Sequence, residues 1–171
     1  DKTRNWTTNG PDSNLFGLEP NFGCCTANMH QGWPKYVAHL WMATRDNGLA
    51  TVAYGPSVVE ARAGNGVPVT IEQVTDYPFK GAIRLKLSMA KPVRFPLQLR
   101  IPAWAEGARV SPGGKPKPGA FFTIDREWKS GDTVELTLPM RVRTERHYRG
   151  SAVLVRGPLV FSLKVGEDWR K

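Results

Sequence analysis

The sequence has little cysteine, little histidine and no long apolar run. Its 171 residues contain two cysteines and three histidines. No stretch of 18 residues is apolar throughout and no charged-then-apolar leader opens the chain, so the sequence predicts neither a membrane span nor a signal peptide. Because the chain begins at Asp1 without a methionine, the missing leader says nothing about where the complete protein resides, and the compartment stays open.

The charge is strongly positive but dispersed. The formal net charge is +9, a balance that raises the question of a nucleic-acid partner. The basic residues alternate along predicted strands, as in Arg84 and Lys86, and no nucleic-acid-binding motif accompanies them. Basic residues at alternate positions are typical of the solvated face of a sheet, so we expect no nucleic acid and no membrane among the partners.

Most of the chain after Gly48 alternates with a period of two. With 40% hydrophobic and 10% aromatic residues, the chain is expected to fold. Ile83, Leu85 and Leu87 alternate with polar residues, which indicates one buried and one solvated face. The pattern predicts an antiparallel, jelly-roll-like β-sandwich. Its predicted strands cover residues 49–54, 57–63, 67–75, 82–89, 94–101, 120–125, 133–138, 141–147, 152–156 and 159–165.

One helix is predicted ahead of these strands, after a loop over residues 1–23. Pro34 suits a first helical turn. Apolar residues recur at helical spacing from Tyr36 through Leu40 to Trp41. The segment 46–48, Asp-Asn-Gly, is a fitting stop because Asn and Gly accept a positive φ.

The two cysteines, Cys24 and Cys25, are adjacent. Across one trans peptide their Cα atoms lie about 3.8 Å apart, below the usual disulfide range of about 4.4–6.8 Å. Two free thiols or two metal ligands therefore explain the pair better than a mutual disulfide. A pair of small buried hydrophobes is the alternative, and two ligands are fewer than the four of a closed zinc site.

Four segments carry a resemblance to a known family. They are the double-cysteine run NFGCCTANMHQGWPKY at 21–36, LRIPAW at 99–104, REWKSGD at 126–132 with LPM at 138–140, and RGPLV at 156–160. In this order they resemble glycoside hydrolase family 127, the β-L-arabinofuranosidases, over roughly residues 15–165.

The resemblance implies a mainly β chain that is the C-terminal part of a larger enzyme. Residues 1–47 would end a catalytic (α/α)6 toroid, contributing a loop, the cysteines and one helix, and residues 48–171 would form the β-sandwich. The implied activity is that of a zinc-dependent retaining glycosidase acting on an arabinofuranoside or a related glycan. By position, Cys24 matches the nucleophile and zinc ligand, and Cys25 matches a second Zn²⁺ ligand.

The departures from the family pattern limit this prediction. The third cysteine, the glutamate ligand and the acid/base lie upstream in the family, and nothing here matches them. The isolated chain is therefore expected to be inactive, with its partner either the missing toroid of the same protein or a second chain. Thr26 and Ala27 replace two prolines found in many members, which leaves the sugar open.

Two further residues near the cysteines, His30 and Trp33, are candidate sugar contacts, against ordinary packing or capping. The alternative function, from another class, is a non-catalytic carbohydrate-binding or structural β-sandwich. Replacing the cysteines would not change the function of such a module.

Overall fold

The computed structural model describes residues 23–164, and the side chains of residues 30–164. The chain divides into two units, Asp1–Ala38 and His39–Lys171. The predicted loop over residues 1–23 lies almost wholly outside the described part. Among the described residues, no helix has the length and apolar character needed to cross a bilayer.

The described part of the first unit is an α-helix, α1 (Gly23–Ala38). The expectation that Pro34 opens the helix is wrong, because the helix begins at Gly23 and Pro34 lies inside it, four residues before its end. Proline has no backbone N–H to donate and crowds the preceding turn, so α1 lacks the hydrogen bond that residue 34 would otherwise give to the carbonyl of His30. Residues 30–38 are all exposed.

The second unit is built from strands. In chain order they are β1 (Trp41–Ala43), β2 (Leu49–Thr51), β3 (Ser57–Ala63), β4 (Val67–Thr75), β5 (Ala82–Met89), β6 (Val93–Arg100), β7 (Arg109–Ser111), β8 (Phe121–Trp128), β9 (Thr133–Thr137), β10 (Val142–Arg146), β11 (Ala152–Arg156) and β12 (Leu159–Phe161). A 3-10 turn, Tyr148–Gly150, separates β10 from β11. The mainly β prediction is confirmed.

The prediction that the helix continues past Ala38 to a stop at residues 46–48 is wrong. Trp41–Ala43 forms β1, which pairs antiparallel with β2, with Trp41 opposite Thr51. The predicted stop is instead the turn of this hairpin, in which Asn47 adopts a φ of 57° and the amide of Thr44 donates to the carbonyl of Gly48 at 3.0 Å. The carbonyl of Leu40 accepts hydrogen bonds from Val52 and Ala53. Long-range pairing therefore overrides a helical spacing that continues past Ala38.

Three sheets organise the strands. A five-stranded sheet has the order β3-β4-β5-β9-β7, a four-stranded sheet the order β1-β2-β6-β8, and a three-stranded sheet the order β10-β11-β12. All strand pairs are antiparallel except β2 with β6. From β5 to β9, successive strands alternate between the five-stranded and the four-stranded sheet. Each connection in this part of the chain therefore joins the two sheets.

The core lies between the five-stranded and four-stranded sheets. Inward residues of both sheets form one buried cluster, which includes Val69, Ile71, Leu85, Leu87, Val134 and Leu136 from the first, and Leu49, Phe95, Leu97, Leu99 and Trp128 from the second. These are the apolar positions of the period-two pattern. Burial of each such side chain stabilises the fold by about 1.5–3 kcal/mol relative to exposure.

The three-stranded sheet begins two residues after Met140. Val155 is buried, whereas Val142 and Leu154 are exposed. The guanidinium of Arg156 donates to the carbonyl of Phe79, in the connection between β4 and β5, at 3.2 Å. This bond ties the three-stranded sheet to the sandwich.

Candidate functional site

The cysteine pair falls in the first turn of α1. The helix begins at Gly23, one residue before Cys24. The side chains of Cys24 and Cys25 lie outside the described part of the chain. Their roles as nucleophile and zinc ligands therefore stay predictions.

The two candidate sugar contacts, His30 and Trp33, lie further along the same helix. Both are exposed, Trp33 by 65%. Three residues apart, they are neighbours on one face of α1. At 3.6 residues per turn, the position of His30 is turned about 140° from that of Cys25, and Trp33 about 180° from Cys24. Both are open to a ligand from solvent, and their contact with a sugar stays a prediction.

The described side chains supply no separate metal centre. Among them, no group of three or more His, Cys, Asp or Glu could hold a metal ion. Several carboxylates of the sandwich pair instead with basic residues on its outer faces: Glu72 with Lys86 at 3.0 Å, Glu135 with Arg84 at 2.8 Å and Asp125 with Arg94 at 3.2 Å. These exposed ion pairs confirm the solvated sheet face expected from the alternating charges.

The REWKSGD segment is a structural corner. Trp128 is fully buried, and its indole N–H donates to the carbonyl of Phe95 at 2.9 Å. The guanidinium of Arg126 lies over the Trp128 ring, 4.2 Å from its centroid, and pairs with Asp132 at 3.1 Å. Asp132 also accepts a hydrogen bond from the amide of Lys129 at 3.0 Å. The segment thus holds the turn from β8 to β9.

The LRIPAW segment is likewise bound into the core. Its Arg100 carbonyl accepts a hydrogen bond from the hydroxyl of Tyr54 at 2.7 Å. Burial raises the pKa of Tyr54 far above its ordinary value of 10.0, against the opposing influence of Arg100. Tyr54 was not identified from the sequence. It is the last residue of the predicted strand 49–54, and nothing in the sequence distinguishes it from other aromatic residues in strands.

A buried polar network, also missed from the sequence, centres on Gln73 in β4. Its amide donates to the carbonyl of Gly55 at 2.6 Å and accepts from the hydroxyl of Thr51 at 3.2 Å. Gln73 and Thr51 are both fully buried. The alternation of β4 places Gln73 on the inner face, and that position was the available signal.

The outer face of the five-stranded sheet carries two shallow grooves near the ends of β5, β7 and β9. One, of about 260 Å³, is lined by Val74, Ala82, Arg84, Glu135 and Thr137 among others. The other, of about 390 Å³, is lined by Arg109, Ser111, Lys115, Glu135 and Thr137 among others. The two share Glu135 and Thr137 and so adjoin each other.

Comparison with known families finds one match. Residues 48–140 match the model of the middle domain of the family 127 β-L-arabinofuranosidases. These residues run from the end of the β1–β2 turn to the end of the LPM segment, and include the core of the sandwich.

Solved structures give the same result. A family 127 β-L-arabinofuranosidase from Geobacillus stearothermophilus T6 is 32% identical with a TM-score of 0.71, over 80% of this chain and 23% of that one. A family 127 β-arabinofuranosidase is 25% identical with a TM-score of 0.69, over 80% of this chain and 25% of that one. A third structure, described as a glycoside hydrolase, is 25% identical with a TM-score of 0.72, over 88% and 28%.

The chain therefore spans about a quarter of the length of these solved structures. No curated protein matches the sequence.

Proposed function

Because the chain belongs to glycoside hydrolase family 127, we propose that it is part of a β-L-arabinofuranosidase-like retaining glycosidase whose nucleophile is a zinc-bound Cys24 thiolate. The observation that carries the proposal is the double cysteine, which precedes a sandwich of this family in the same chain. The sugar is an arabinofuranoside or a related glycan.

The position of the cysteines supports a thiolate. Their backbone falls in the first turn of α1, where free N–H groups and the positive end of the helix dipole favour a negative charge. The thiolate is the nucleophilic form of cysteine. In the proposed reaction, Cys24 sulfur attacks the anomeric carbon as the bond to the leaving oxygen breaks. Water then hydrolyses the thioglycosyl intermediate and releases the thiolate.

The donor set fits zinc in type but supplies only part of a site. Thiolates are common zinc ligands and a zinc site takes at least three protein ligands, whereas the chain offers Cys24 and Cys25. His30 lies on a different side of α1 from Cys24 and Cys25, so it does not supply a third zinc ligand. Zinc, when bound, would keep both thiols deprotonated. The remaining ligands, and the acid that protonates the leaving oxygen, would come from another part of the protein.

The 171-residue chain alone is therefore proposed to be inactive. The test is hydrolysis of a nitrophenyl arabinofuranoside by the pure chain, for which we expect no activity above the uncatalysed rate. Hydrolysis that survives Cys24→Ser would contradict the role of Cys24. Hydrolysis that depends on Cys24 would instead show that the chain completes its own site.

A second experiment addresses the metal. Elemental analysis and a count of reactive thiols on the pure chain should give no bound zinc and two free thiols. In a family-length protein containing this chain, Cys24→Ser should abolish hydrolysis and leave thermal stability nearly unchanged. A matched loss of stability and activity would make the metal site structural, and full activity of the serine variant would end the proposal.

A further inference from the structure

Arg109 in β7 and Lys115, just after the turn that follows β7, form a pair of like charges. Val110 in β7 and Gly114 exchange both backbone hydrogen bonds, Val110 N–H to Gly114 O at 2.8 Å and Gly114 N–H to Val110 O at 2.7 Å. Arg109 and Lys115 are the next residues on either side of this isolated bridge, and Lys115 lies outside the strands. Both side chains are exposed and line the groove of about 390 Å³.

Nothing in the described part of the chain neutralises this pair. Like charges that line one small groove repel each other, the more strongly the closer they lie. Glu135 lines the same groove, but its Oε1 atom is 2.8 Å from Nη2 and 3.0 Å from Nε of Arg84. Neither Arg109 nor Lys115 has an ion-pair partner among the described side chains. The groove thus holds two cations without an ion-pair partner, beside a Glu135 carboxylate that is already engaged by Arg84.

The adjoining groove mixes polar and apolar side chains. The sheet register sets Arg109 opposite Thr137, and Ser111 opposite Glu135. Thr137 and Glu135 also line the groove of about 260 Å³, together with apolar side chains of β4 and β5. A ligand that spans both grooves would therefore meet the hydroxyls of Ser111 and Thr137 and, beyond them, the carboxylate of Glu135 in its ion pair with Arg84.

We propose that this surface, the Arg109 groove (Arg109, Ser111, Lys115, Glu135 and Thr137), binds an acidic polysaccharide, with one sugar carboxylate held between Arg109 and Lys115. A carboxylate in that position would offset the repulsion between the two cations. Among the described residues, no aromatic side chain lines either groove, so they do not provide the base stacking typical of single-stranded nucleic-acid sites. The choice of a glycan rests on the proposed function, whereas the charge argument does not.

The test is calorimetric binding of polygalacturonate to the 171-residue chain at low salt, with linear neutral arabinan as the uncharged comparison. We expect the double variant Arg109→Gln, Lys115→Gln to bind polygalacturonate about tenfold more weakly, in keeping with two exposed charge contacts. The matched control is Lys91→Gln with Lys129→Gln, which removes the same charge from exposed positions outside both grooves. It should bind within about twofold of the unchanged chain.

Three outcomes would overturn the proposal. Equal weakening by both double variants would reduce the binding to net charge, and equal binding of neutral arabinan would remove the role of the carboxylate. Competition by single-stranded DNA as strong as that of polygalacturonate would make the surface a general polyanion site. The Arg109→Gln, Lys115→Gln variant no longer has the repulsion between the two cations, so its thermal unfolding midpoint should not fall. Weaker binding by this variant would then not be due to unfolding. Since binding rather than hydrolysis is measured, the result is independent of Cys24.

Discussion

The amide of Gly64 donates a hydrogen bond to the carbonyl of Asn47 at 2.8 Å. The bond joins the turn between β3 and β4 to the turn between β1 and β2, and so links the two sheets of the sandwich. Both residues have a positive φ, 57° at Asn47 and 58° at Gly64. A Cβ atom added to Gly64 would lie 2.5 Å from the carbonyl oxygen of Arg94. The close approach of the β3–β4 turn to the backbone of β6 thus requires glycine at position 64.

Gly64→Ala is expected to destabilise the sandwich more than Gly66→Ala does. Both glycines have a positive φ, which costs an alanine about 1–2 kcal/mol, but a Cβ at Gly66 meets nothing within 4 Å. Only the substitution at Gly64 adds a clash with backbone. Urea denaturation of both variants measures the difference, and equal losses would show that the β3–β4 turn does not need its close approach to β6.

Gln73→Met is expected to destabilise the fold by about 1–3 kcal/mol, because the Gly55 carbonyl and the Thr51 hydroxyl lose their buried amide partner. The Gly55 carbonyl keeps a hydrogen bond from the Ser57 hydroxyl, and the Thr51 hydroxyl keeps one to the Ala53 carbonyl, which limits the loss. Methionine has a similar length, so little volume is lost. Gln98→Met, at a half-buried position of β6 on the outer face of its sheet, is the matched control and should change stability by less than about 0.5 kcal/mol. A similar loss in both variants would contradict the role given to the Gln73 network.

The sequence predicted the strands best where alternation runs long. β3, β4 and β5 begin and end at the predicted residues, because their two faces differ clearly and Gly or Pro marks their ends. β1 and β7 have three residues each, too few to show a period, and both were missed. Trp41 belongs to a hairpin whose partner β2 is fixed by β6, a contact between residues about fifty positions apart that no local spacing reveals.

The candidate site was predictable only as residue types. The cysteine pair is visible in the sequence because of its family motif, and its side chains lie outside the described residues. By contrast, the proximity of Arg109 and Lys115 depends on the reciprocal bonds of Val110 and Gly114. The Pro-Gly-Gly segment at 112–114 was the available signal for this turn.

Asp132→Ala is expected to destabilise the chain by about 1–3 kcal/mol, whereas Asp125→Ala should cost less than about 1 kcal/mol. The Asp132 side chain is 15% exposed and holds both Arg126 and the Lys129 amide. Asp125 pairs with Arg94 at an exposed position of β8. Thermal unfolding at two salt concentrations separates the cases, since salt screens the exposed pair more strongly. Equal, salt-sensitive losses would show that the REWKSGD corner is a surface ion pair only.

Tyr54→Phe is expected to lower stability at neutral pH by about 1–2 kcal/mol, because the Arg100 carbonyl loses its donor. The pH dependence gives a sharper test. Burial raises the pKa of Tyr54 in the folded chain above the unfolded value of 10.0, so above that pH the unfolded chain releases a proton that the folded chain retains. The stability from Tyr54 is therefore fully present below pH 10 and declines as pH rises, by up to about 1.4 kcal/mol per pH unit.

Denaturant unfolding of the Tyr54→Phe variant between pH 8 and 11 checks this dependence, with Tyr148→Phe, at an exposed position, as the control. The stability gap between the unchanged chain and Tyr54→Phe should narrow above pH 10, while the gap to Tyr148→Phe should not change in that way. A gap that stays constant through this range would mean that Tyr54 ionises as readily in the folded chain as in the unfolded one. Its hydroxyl would then not be a buried donor to Arg100.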